Sequence, residues 1–316
     1  MLAAPSLLAA IPSPSDPTLN LGPLELHYYG IVIAIGVALA FTITRRRYER
    51  YGGDGVALDR VMTWAVLLGF LGGRMGYVAT HLDRFFGADA TLAPWQVIAI
   101  WEGGLAFFGG ITAGAIAAFV LLRRLDLPVL PFFDAVAVAV PVAQAIGRFG
   151  NWFNQELFGT PTDLPWALRV SEAAAARAGF PDERLFHPTF LYEALLNLLA
   201  VAVILRVEKR RDWRMGSTFL LYLVCYGVIR FLMELLRTDD QIVWALGIRN
   251  NGWIALAVLV VSGVLLWRRE TGRGDVFASR VPKDEALLDR GEDDRSPHGE
   301  DGDTALVSGE ASPDEE

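Results

Sequence analysis

The chain has 316 residues, of which 53% are apolar and 20% charged, with a mean hydropathy of +0.35. Soluble domains run at about 45–50% apolar and about 25% charged, so this balance points to a lipid environment. The single cysteine excludes an internal disulfide, a paired-thiol redox centre and a thiolate zinc site. The net charge of −8 belongs to the C-terminal end: residues 281–316 hold 13 acids and 3 bases, whereas residues 1–280 hold 23 acids and 25 bases. A body this close to neutrality has no basic field for binding nucleic acid.

In chain order, residues 1–11 are apolar but short, lack a basic start and run into Pro12, Pro14 and Pro17. This predicts an extended leader outside the spans, not a cleaved signal peptide. A helix crossing a hydrocarbon core of ~30 Å needs about 20 mostly apolar residues. Seven stretches qualify: 28–44, 61–79, 97–122, 132–153, 189–205, 216–236 and 253–267. The expected fold is an all-α integral membrane protein with seven transmembrane helices, residues 28–267, preceded by an extracytoplasmic segment, 1–27. Between the fourth and fifth spans, 154–188 is too polar and broken to cross, and predicts a small extracytoplasmic cap. Residues 268–316 form a cytoplasmic tail. Beyond Arg280 it is rich in Asp, Glu, Gly, Ser and Pro, a composition that predicts disorder.

Lys and Arg alternate with the spans. One side collects 16, from Arg45, Arg46 and Arg47 through Arg123, Arg124, Arg210 and Arg211 to Arg268 and Arg269. The other collects 6, namely Arg84, Arg169, Arg177, Arg184, Arg237 and Arg249. The positive-inside rule then puts the N-terminus outside and the C-terminus in the cytoplasm.

Three arginines, Arg74, Arg148 and Arg230, fall inside spans, where each costs roughly 2.5 to 3.5 kcal/mol and cannot shed its proton. Tyr226, Arg230, Glu234 and Arg237 recur at four, four and three residues, one polar stripe with a net positive charge. In Gly147-Arg148-Phe149-Gly150-Asn151-Trp152-Phe153-Asn154-Gln155-Glu156-Leu157-Phe158-Gly159, helical spacing puts Arg148, Asn151 and Gln155 on one face, and the glycines allow close approach. Gly72-Gly73-Arg74-Met75-Gly76 reads first as close packing around a cation. Guanidinium forks suit phosphate oxygens, so together these residues describe a cavity for an anionic amphiphile, with a phospholipid as the obvious candidate. No metal constellation and no cofactor motif accompanies them.

At these residues the chain resembles the bacterial prolipoprotein diacylglyceryl transferase family. Residues 147–159 follow that family's pattern G-R-x-G-N-F-x-N-x-E-x-x-G at nearly every fixed position. Further matches are His27-Tyr28-Tyr29-Gly30, Gly72-Gly73-Arg74, Glu102-Gly103-Gly104 with Gly109-Gly110, His187-Pro188-Thr189-Phe190-Leu191-Tyr192-Glu193-Ala194, and Tyr226-Gly227 with Arg230, Glu234 and Arg237. The resemblance covers about residues 20–270. It implies a bacterial plasma-membrane enzyme that moves the diacylglyceryl group of phosphatidylglycerol to the lipobox cysteine thiol of preprolipoprotein signal peptides, releasing glycerol phosphate. It also implies the site: Arg148 at the phosphate, Arg230 as an essential cation, Tyr29 orienting the ester or phosphate, Asn151, Asn154 and Glu156 at the headgroup glycerol, and Glu234 holding Arg230. Gly159, Arg74, Tyr192 and Arg237 complete the expected substrate contacts.

One position departs from the family. Its third-span histidine, considered a base for the thiol, is Phe108 here, so that role does not carry over. Of His27, His81 and His187, all expected near the outer face, His187 is the first substitute, with a capping role before Pro188 as the alternative; His298 lies in the tail. Cys225, in an apolar helix, reads as packing. The competing functions are an anion or lipid transporter, which would call for paired broken helices that the sequence lacks, and a non-catalytic phospholipid-binding membrane protein.

Overall fold

The computed structural model describes residues 10–22, 24–87, 90–100, 103–237 and 249–272. The acidic tail, Glu102 and His298 lie outside them. Among the described residues, seven helices are long and apolar enough to cross a membrane: α1 (Tyr28–Arg50), α2 (Gly55–Thr80), α4 (Phe107–Arg124), α5 (Val129–Asn154), α7 (Thr189–Arg210), α8 (Ser217–Glu234) and α9 (Asn250–Glu270). Two short helices lie between them, α3 (Leu82–Phe85) and α6 (Glu172–Arg177). Large apolar side chains such as Leu39, Leu71, Phe119, Leu198, Val260 and Trp267 are exposed, an outer surface suited to lipid tails and not to water.

The third span is shorter than its sequence predicts. Residues 97–106 are apolar enough to count, but Pro94 opens a 3-10 turn over Pro94–Ile98, and Gly103 and Gly104 take φ of +83° and +67°, so the helix starts only at Phe107.

Helix α5 packs against α1, α7 and α8, and α8 against α9. Helices α2 and α4 pack on each other along a glycine seam and join α1 and α5 through a core that includes Tyr48, Leu58, Val61, Leu122 and Ala135. A Cβ on Gly72 would lie 2.2 Å from Ala113 Cβ, and one on Gly109 would lie 2.5 Å from the Gly72 carbonyl, so only glycine permits the approach.

At one end of the bundle sits a small β-containing cap. Strands β1 (Ile11–Pro12), β4 (Leu168–Arg169) and β5 (Leu185–Phe186) form a sheet, with β1 parallel to β4 and β4 antiparallel to β5. Phe158, Leu168, Val170, Ala174, Ala175, Phe186 and Phe190 bury together beneath it, with Ile11 and Trp152 packed alongside. The described part of the N-terminal segment is tied into the fold: β1 is an edge of the cap, and the hairpin β2 (Thr18–Leu21) and β3 (Leu24–His27) feeds directly into α1.

The opposite end is tied by polar groups. Helix α8 begins after Gly216, which has no capping side chain; the fully buried Asp134 of α5 does that work, accepting from the Gly216 amide at 2.7 Å and the Phe219 amide at 3.0 Å. Arg47 pairs with Glu208 at 2.6 Å, and Glu208 also accepts from Tyr51 at 3.1 Å and Thr218 at 3.0 Å.

Candidate functional site

The C-terminal end of α5 builds the site. Arg148 Nη2 lies 2.6 Å from Glu193 Oε2 of α7, and Arg148 Nη1 donates to Asn151 Oδ1 at 3.2 Å. Asn151 Nδ2 donates to Glu156 Oε1 at 2.9 Å, and Asn154 Nδ2 to the same oxygen at 3.4 Å. Glu156 can reach back because the helix stops: Gln155 adopts φ +50°, and the Glu156 amide donates to the Asn151 carbonyl at 3.0 Å. This turn corrects the expected face. The Gln155 side chain points away from the cluster, donating from Nε2 to the Pro14 carbonyl and accepting from the Ser171 amide, both at 2.7 Å.

Helix α8 supplies the neighbouring charges. Arg230 pairs with Glu234 at 3.1 Å, and Arg230 and Arg237 lie near enough to Arg148 for their charges to oppose it. Glu234 is 5% exposed, and neither of its oxygens makes a hydrogen bond among the described residues. The stripe read at helical spacing ends at Glu234, the last residue of α8; Arg237 lies beyond it and bridges to Gly159. Gly159 has no room for a side chain, since a Cβ there would lie 2.8 Å from His187 Cβ and 2.9 Å from the Leu236 carbonyl. Tyr29 sits against Gly150, where a Cβ would come within 2.6 Å of its ring, and it feels the charges of Glu156 and Arg148.

The remaining candidates lie in other company. His187 Nδ1 and the Tyr192 hydroxyl are 3.3 Å apart, and Trp166 Nε1 donates to that hydroxyl at 2.9 Å. Arg74, read first as the cation of a packing motif and by resemblance as a substrate contact, gives all three guanidinium nitrogens to backbone carbonyls: Nε to Val97 at 2.8 Å, Nη1 to Gly103 at 2.6 Å and Gly104 at 3.2 Å, and Nη2 to Gln96. It holds the loop before α4 in place. Glu193, which the sequence reading passed over, is the acid that holds Arg148. Its signal was present: a carboxylate inside a span needs a cationic partner.

The sequence matches the family described as prolipoprotein diacylglyceryl transferase over residues 17–268. The chain belongs to this family. A relative from Streptomyces coelicolor, named phosphatidylglycerol–prolipoprotein diacylglyceryl transferase 2, is 44% identical over 80% of this chain and 78% of its own length. Proteins named phosphatidylglycerol–prolipoprotein diacylglyceryl transferase from Frankia alni and Bifidobacterium longum are 42% and 40% identical, each over 82% of this chain and over 67% and 85% of their own lengths.

Within that family frame, Phe108 is 72% exposed at the start of α4 and edge-on to Phe107. It is an outward-facing apolar residue. Cys225 is half-buried and packs on the Ala200, Ile229 and Met233 cluster.

Proposed function

We infer that the chain is a membrane transferase that moves the diacylglyceryl group of phosphatidylglycerol to the lipobox cysteine thiol of prolipoproteins. The sulfur attacks the glycerol carbon that carries the phosphate. A C–S bond forms, the C–O bond breaks with its electron pair going to the phosphate oxygen, and the thiol proton is lost. The products are a thioether and glycerol phosphate.

One observation carries the assignment of roles: the charges of Arg148, Arg230 and Arg237 act on one another at one end of the bundle, where Glu193 and Glu234 are the buried carboxylates among the described residues. Negative charge grows on the phosphate as the bond breaks, and fixed guanidinium groups stabilise it there. Arg148 binds the phosphate, exchanging its contact with Glu193 for phosphate oxygens, and Arg230 adds the second cation under the hold of Glu234. Asn151, Asn154 and Glu156 hydrogen-bond the headgroup glycerol, and Tyr29 orients the ester or phosphate. His187, with Tyr192 beside it, is the candidate acceptor for the thiol proton.

The same reading sets the protein in the bacterial plasma membrane with its N-terminus, cap and arginine cluster outside. The supporting observation is the 16 to 6 distribution of basic residues between the two sides. Residues 268–316 are then cytoplasmic. The direct test incubates purified protein with labelled phosphatidylglycerol and a lipobox peptide. Thioether product is expected from the parent chain and not from Arg148→Ala or Arg230→Ala of equal thermal stability. Product at the parent rate from both variants would refute the roles given to the arginines.

A further inference from the structure

A groove of about 480 Å³ borders the arginine cluster, with Asn154, Gln155, Glu156 and Leu157 on one wall and Ala176 and Arg177 of α6 on the other. Its volume is that of a ligand site (~300–1,000 Å³). Resting on the transferase assignment above, we propose that this groove seats the peptide chain flanking the reacting cysteine of the prolipoprotein.

The groove is continuous with the chemistry. Glu156 in its wall is bonded to Asn151, and Asn151 to Arg148, so a peptide lying there presents its thiol beside the phosphate. It is also a built feature. Gln155 clamps both the Pro14 carbonyl and the Ser171 amide, and Ser171 caps α6 by accepting from the Ala174 amide at 3.3 Å. The Gln155 side chain therefore fixes α6 across from the end of α5, and Gln155 is a positioning residue at a place the family pattern leaves open.

Charge decides between a peptide and the departing glycerol phosphate. The walls carry Glu156 and Arg177, whose charges offset, so the groove offers a phosphate dianion no net attraction, whereas main-chain carbonyls of a peptide can accept hydrogen bonds from Arg177. The α6 wall ends in methyl groups at Ala174, Ala176 and Ala178, leaving width for a main chain and its side chains.

Ala176 is exposed, so Ala176→Trp fills the groove without disturbing a core. The expected result is a roughly tenfold higher KM for the lipobox peptide, with KM for phosphatidylglycerol and kcat unchanged. A lipobox peptide carrying a benzophenone beside its cysteine should crosslink to residues 174–179. An unchanged peptide KM would overturn the proposal, and so would a rise confined to phosphatidylglycerol, which would give the groove to the lipid headgroup. A parent chain without transfer activity would count against the transferase assignment instead, and the crosslink would still report the peptide's seat.

Discussion

Asp134 and Arg148 stand on the same helix, 14 residues or about 21 Å apart, in surroundings of opposite kind. Around Asp134 the carboxylates are satisfied by protein donors: two backbone amides for Asp134, and Arg47, Tyr51 and Thr218 for Glu208. Burial pushes the Tyr51 phenol above its ordinary range, so it keeps the proton it donates. Around Arg148 the buried carboxylates are less fully satisfied: neither oxygen of Glu234 makes a hydrogen bond among the described residues. A satisfied network fixes one arrangement; an incompletely satisfied one retains capacity for a ligand. Charge inside the membrane therefore does two jobs here, and the hydrogen bonding of the carboxylates separates them.

If the contrast is right, removing charge at the two ends produces losses of different kinds. The largest effect is expected for Arg148→Ala: kcat should fall by roughly 10²–10³-fold, measured with purified enzyme, while its unfolding midpoint in detergent stays near that of the parent. Arg148→Lys restores charge but not the planar fork and should recover only part of the rate. At the other end Glu208→Ala leaves Arg47 buried without its carboxylate and should cost about 3 kcal/mol of stability, read by denaturant titration, with activity per folded molecule retained. Asp134→Ala removes the borrowed cap of α8 and should cost about 2 kcal/mol by the same measurement. Glu193→Gln should be mildest, a fall of roughly tenfold in transfer with little change in stability. A stability loss at Glu193 as large as that at Glu208 would erase the distinction between the ends.

Much of this was legible in the sequence. Apolar runs of membrane length gave the seven helices, and the signature residues Arg148, Asn151, Asn154 and Glu156 do meet. What escaped was decided by single backbone turns or by tertiary partners. Gln155 shares the Arg148 face only if α5 continues, and a left-handed φ at that residue ends it. Residues 97–106 are apolar enough for a span, yet Gly103 and Gly104 turn the chain, and their carbonyls become the partners of Arg74. The role of Asp134 is invisible to local sequence, because the helix it caps begins 83 residues later.

The glycine seam between α2 and α4 also constrains traffic. Two backbones too close to admit an added methyl group on either side cannot part around an acyl chain without breaking the seam. Along this seam α2 and α4 stand as a closed wall, with no gap between their backbones for an acyl chain.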